Sequence, residues 1–160
     1  MKLSFYGADR CVTGSCHCIE VNGKKILIDC GLQQGRDEID NHALPFHPGQ
    51  IDFVLVTHAH IDHSGRIPLL LKQGFRGTIV ATRLTADLME IMLQDSAHIQ
   101  ESDAMWLNRK GRRAGKDEIE PLYTCLLYTS CPAAWTPPWP QPCWPRPWAA
   151  SSPAYSSTTV

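Results

Sequence analysis

The stretch Asp52–Ser64, Asp-Phe-Val-Leu-Val-Thr-His-Ala-His-Ile-Asp-His-Ser, constrains the fold more than any other part of this chain. Phe53-Val54-Leu55-Val56 is a run of β-formers too short for a helix, which predicts a short buried strand. Four metal-ligating side chains follow within six residues: His58, His60, Asp62 and His63. Imidazole and carboxylate are the side chains that hold zinc-like divalent ions. His58 and His60 are two residues apart, so extended backbone projects both to the same side. Asp62 and His63 come after the chain begins to turn, where they can serve a second ion nearby, as two-metal hydrolases require. A single histidine here would read as a packed core residue. Four donors in this pattern read as a metal site.

The elements around this stretch follow from local chemistry. Leu3–Tyr6 reads as an opening strand, and the small-residue loop Gly7–Ser15 reads as a close backbone approach, since it lacks phosphate-cradle spacing. Cys16–Val21 and Lys25–Ile28 read as two strands joined by the hairpin turn Asn22-Gly23. Asp29 comes directly after three apolar residues, so its carboxylate lies near the core and needs partners. It reads either as a simple turn cap or as a residue that holds a ligand loop in place. His42 and His47 sit in a polar, irregular segment and read as solvated.

Beyond the ligand stretch, Gly65–Gln73 reads as a helix with Ser64 as its N-cap and Gly74 as its stop. A helix starting there would bring its positive end to an anionic substrate. Gly77–Ala81 reads as a further strand, so strand, ligand loop, helix and strand make a βαβ unit. From Thr82, Leu84, Leu88, Ile91 and Met92 recur at helical spacing on one face. A second helical segment follows from Asp95 to about Arg113, with Met105, Trp106 and Leu107 as its apolar anchors. The basic cluster Arg109-Lys110-Gly111-Arg112-Arg113 reads equally as a solvated helix end or as a contact to nucleic-acid phosphate. The fold class is α/β.

Composition divides the chain in two. All seven histidines lie at or before His98, and the last acidic residue is Glu120. From Cys125 to Val160 there is no Asp, Glu or Lys, while eight of the twelve prolines and four of the five tryptophans gather there. Residues 1–124 therefore read as one partial domain. Residues 125–160 read as an irregular Pro/Trp-rich tail, non-native or disordered. A net charge of −1 selects no partner class, and no run approaches the roughly 18 apolar residues of a membrane span. With no leader pattern and no paired CxxC spacing, the expectation is a cytoplasmic protein with reduced, half-buried thiols at Cys11, Cys16, Cys18 and Cys30.

The run Thr57-His58-Ala59-His60-Ile61-Asp62-His63-Ser64-Gly65 resembles the HxHxDH signature of the metallo-β-lactamase superfamily. Val12–His17, Asp29–Gly35 and Thr82 through Asp95–Ala104 resemble its β-CASP branch, the RNA-processing metallo-hydrolases of the ribonuclease J and pre-mRNA 3′-end endonuclease type. The resemblance covers residues 1 to about 124. It implies the N-terminal part of a four-layer αββα fold and zinc-dependent hydrolysis of RNA phosphodiesters. It also implies that His58 and His60 hold one zinc, that Asp62 and His63 hold the other, and that Asp62 is in addition a catalytic residue orienting the attacking hydroxide. RNA is the partner so implied, with no membrane. Two alternatives stand beside it: a hydrolase of thioesters or lactones, which the Asp95–Ala104 stretch disfavours, and a non-catalytic metal-binding module. The family's further ligands have no counterpart, since no histidine follows His98 and no aspartate follows Asp117. The inserted β-CASP domain is missing as well. The expectation is half a metal site and a fragment inactive as given.

Overall fold

The computed structural model describes residues 1–35, 40–112 and 117–124. Five strands form one sheet in sequential order: β1 (Lys2–Gly7), β2 (Cys16–Val21), β3 (Lys24–Ile28), β4 (Phe53–Leu55) and β5 (Thr78–Val80). The first two pairings are antiparallel and the last two parallel, so the expected hairpin opening does pass into an α/β sheet. Asn22 (φ 50°) and Gly23 (φ 75°) are both left-handed, which is what a two-residue turn matched to strand twist requires. Between β4 and β5 lie α1 (Ile61–Ser64) and α2 (Ile67–Lys72), and α3 (Arg83–Arg112) follows.

Strand register separates the two faces of the sheet. Cys18, Leu27 and Val54 stand in line on one face and are fully buried against Ile67, Leu70, Phe75, Met89 and Leu93. Leu3, Phe5, Phe53, Leu55 and Val80 stand on the other and are exposed. The central strand is therefore buried on one side only, and it ends at Leu55 rather than Val56. Among the described residues the helices cover a single face. The segment 117–124 returns to this core: Asn108 exchanges two hydrogen bonds with the Ile119 backbone, and buried Tyr123 donates its hydroxyl to Ser96.

Several local expectations are corrected. Ser64 does not cap the following helix. It is the last residue of α1, and its hydroxyl donates back to the carbonyls of Ala59 and His60. The longer helix starts only at Ile67, after Arg66, so its dipole does not begin directly behind the ligands. The two helical segments expected after Thr82 are one continuous helix of 30 residues. It buries Met89, Leu93, Ala97 and Ala104, whereas Leu84, Leu88 and Ile91 face outward, as do Met105, Trp106 and Leu107. Cys16, Cys18 and Cys30 are fully rather than half buried, and these and Cys11 are free thiols. Within the basic cluster, Lys110 lies 5.0 Å over the Trp106 ring and Arg112 pairs with Glu118 at 3.6 Å, while Arg113 falls outside the described residues. The tail 125–160 also falls outside them. Among the described residues no helix is long and apolar enough to cross a membrane.

Candidate metal centre

Four of the predicted residues come together at the end of β4. His60 holds an extended backbone (φ −58°, ψ 145°), and the rings of His58 and His60 lie 4.8 Å apart. The turn into α1 then swings His63 back, until its ring lies 3.9 Å from that of His58. Asp62 places a carboxylate oxygen 3.7 Å from His63 Nε2. The alternation expected for His58 and His60 thus brings their rings together, and the turn brings Asp62 and His63 to the same place.

Asp29 holds this arrangement from beneath. It is 2 % exposed and has φ +61°, a left-handed conformation that Asp tolerates better than most residues. One carboxylate oxygen accepts the backbone N–H of Thr57 at 2.8 Å, the other accepts His63 Nδ1 at 2.8 Å, and the Thr57 hydroxyl reaches the pair at 2.9 and 3.0 Å. The Ser15 hydroxyl adds a longer bond at 3.3 Å. A carboxylate only accepts, so the proton lies on His63 Nδ1 and leaves Nε2 free to ligate. Beneath this cluster, a hydrogen bond to Cys30 and burial push the Cys16 thiol well above the ordinary range, so it stays neutral.

Gly31, Ser15 and Arg66 hold the cradle together, and none of them has an individual role legible in the sequence. A Cβ built on Gly31 would overlap the carbonyl oxygen of Asp62, so only glycine lets the chain after β3 pass beneath the ligand loop. Ser15 donates its backbone N–H to the same carbonyl at 2.8 Å, and Cys30 donates to the His63 carbonyl at 2.9 Å. Arg66 is 6 % exposed and donates Nε to the Gly31 carbonyl at 2.6 Å. The Gly7–Ser15 loop makes the close approach read from its composition, since a Cβ on Gly7 would overlap the Gly14 carbonyl. A separate cavity of about 670 Å³ lies between the loop after Gly31, the middle of α3 and residues 119–122, and none of the three histidines of the cluster lines it.

By donor chemistry the cluster fits a zinc-like ion: imidazoles with an oriented Nε2, and a carboxylate beside them. It is not a closed cage. Among the described residues no three His, Cys, Asp or Glu side chains are placed so as to hold one ion together.

Ribonuclease TTHA0252 of Thermus thermophilus is 47 % identical to this chain over 102 residues, covering 63 % of the chain and 24 % of that protein. Transcription termination factor FttA of Methanosarcina mazei is 39 % identical over 99 residues, covering 59 % of the chain and 16 % of the relative. Cleavage and polyadenylation specificity factor 73 of Drosophila melanogaster is 32 % identical over 129 residues, covering 76 % and 19 %. The chain thus spans a quarter or less of the length of these relatives, and the names ribonuclease and cleavage and polyadenylation specificity factor are of the RNA-processing kind that the β-CASP resemblance implied. The profile of the metallo-β-lactamase superfamily matches residues 9–131, across the Thr124 boundary and over well more than half of the sequence. The chain belongs to the metallo-β-lactamase superfamily.

Proposed function

We propose that this chain carries the first half of the metal centre of a β-CASP-type RNA phosphodiester hydrolase. His58 and His60 hold one zinc, and Asp62 and His63 hold the second. Zinc supplies Lewis-acid polarisation at phosphorus and a water acidic enough to attack near neutral pH. The chain's own contribution is orientation. Asp29 fixes the His63 ring and the Thr57 backbone, and α1 presents Asp62 beside His63, where it can orient a nucleophilic water. The observation that carries this reading is the buried Asp29 carboxylate bonded at once to the strand end and to a ligand histidine. Such a bond costs burial of a charge, and it suits a ring that must present Nε2 in one direction.

RNA is the favoured substrate over a thioester or lactone because the relatives carry the names ribonuclease, endoribonuclease and cleavage factor. The free thiols suit a cytoplasmic setting. No closed three-donor cage forms among the described residues, and no histidine follows His98, so the 160-residue chain takes up zinc weakly and does not turn over RNA.

Zinc content and cleavage of a labelled single-stranded RNA, measured on the full 160-residue chain and its His60→Ala variant, test this. The expected result is weak zinc uptake by the parent, less by the variant, and no cleavage by either. Two tightly held zincs with turnover lost in His60→Ala would sink the half-site reading. No zinc uptake at millimolar metal would sink the ligand assignment.

A further inference from the structure

The Thr57 hydroxyl sits between two groups that compete for its single proton. It lies 3.0 and 2.9 Å from the two carboxylate oxygens of Asp29 and 3.0 Å from His58 Nδ1. If that proton pointed at His58, an oxygen lone pair would face the buried Asp29 carboxylate at hydrogen-bond distance with nothing between. A carboxylate already receiving His63 Nδ1 and the Thr57 N–H cannot donate. The proton therefore goes to Asp29, and Thr57 Oγ1 is left able only to accept. His58 Nδ1 must then be the donor.

We propose that Thr57 is a positioning residue that passes the acceptor character of Asp29 on to His58. The relay puts the proton of His58 on Nδ1 and frees its Nε2 as a ligand. One buried carboxylate thereby sets the tautomer of two histidines, His63 directly and His58 through a hydroxyl. An imidazole in water favours the opposite form, with the proton on Nε2, so the relay works against the ring's own preference. It explains why a Thr whose backbone N–H already anchors the loop also directs its hydroxyl inward. The His60 ring has no hydrogen bond among the described residues, so its tautomer is not set in this way. The value of the relay for zinc binding rests on the metal reading above; the tautomer does not.

The test is nitrogen NMR of the imidazoles in the metal-free 160-residue chain, at a pH where they are neutral, for the parent, Thr57→Val and Thr57→Ser. Valine keeps the β-branched shape and the backbone anchor and loses only the relay. The parent should show His58 with the proton on Nδ1, Thr57→Val should move it to Nε2, and Thr57→Ser should restore the parent pattern. His63 should keep its Nδ1 proton in all three. In a zinc titration, Thr57→Val should lose about tenfold in affinity and Thr57→Ser should stay near the parent value. The relay is overturned if His58 carries its proton on Nε2 in the parent, or keeps it on Nδ1 in Thr57→Val. Should Thr57→Val unfold, an Nε2 proton in the parent or in Thr57→Ser still overturns the relay. A correct tautomer pattern with no zinc uptake leaves the relay standing and removes the metal reading instead.

Discussion

Beneath the histidines, the chain is closed; above them, it is open. In the lower region Ser15, Asp29 and Thr57 exchange side-chain and backbone hydrogen bonds, Gly31 lies against the Asp62 carbonyl, and Arg66 closes the bottom. In the upper region the exposed His60 has no hydrogen bond to its ring among the described residues, and the Asp62 carboxylate has only a 3.7 Å approach to His63. The lower region is complete without any ion, whereas the upper one presents lone pairs to whatever arrives. Stability should therefore reside below and metal affinity above, with Asp29 and Thr57 joining them.

Gly31→Ala should break this comparison most severely. The added methyl would meet the carbonyl carbon and oxygen of Asp62 and the amide nitrogen of His63, all of them backbone that cannot rotate away. Either the strand end or the ligand loop must move, at an expected cost of about 3 kcal/mol. Urea unfolding checks this, and an unchanged midpoint would show that the packing of Gly31 carries no constraint.

Asp29→Asn cuts the bond between the two regions while keeping shape, and Asn tolerates the left-handed backbone at this position. The remaining carbonyl oxygen can still accept from Thr57, but the amide meets the His63 Nδ1 proton with a donor. A loss of about 2 kcal/mol is expected, together with zinc affinity lower by about tenfold or more. His60→Ala should instead leave the unfolding free energy from the urea curve within about 0.5 kcal/mol of the parent. Equal destabilisation by the two substitutions would abolish the distinction between cradle and rim.

How far this was legible in the sequence differs along the same division. The upper donors were readable because their spacing alone brings them together: alternation for His58 and His60, then a turn. The hairpin was readable because Asn22-Gly23 demands one turn type. Asp29 was readable as a buried carboxylate in need of partners. Gly31, Ser15 and Arg66 were not, because their roles depend on contacts across 31 to 47 residues of chain that no local pattern encodes. The helix α3 shows a different limit. Leu84, Leu88 and Ile91 make a helical stripe, and so do Met89, Leu93 and Ala97, yet only the second faces the core. Periodicity reports that a helix has an apolar face. When there are two, only the sheet beside it selects which is buried.

The smallest effect expected lies at the entrance to β4, where Asp52 opens the stretch that leads to the ligands. Its carboxylate accepts Lys24 Nζ at 2.6 Å and the Lys25 backbone N–H at 3.0 Å, and its own N–H donates to the Lys25 carbonyl at 2.9 Å. The Lys24 bond first, and the Lys25 N–H second, hold its pKa below the usual carboxylate range. A carboxyl with a depressed folded value stabilises the fold above its unfolded value and loses that contribution as pH falls through the folded one. Unfolding curves taken stepwise from neutral pH downward should therefore show an acid-side decline for the parent that is shallower in Asp52→Asn. Lys24 is exposed, so salt should weaken its share, and Lys24→Met should keep the share that comes from the Lys25 backbone. If Lys24→Met and Asp52→Asn flatten the acid limb equally, the backbone bond contributes nothing. The entry to the ligand strand would then be held by a surface ion pair alone, and the closed region would begin only at Asp29.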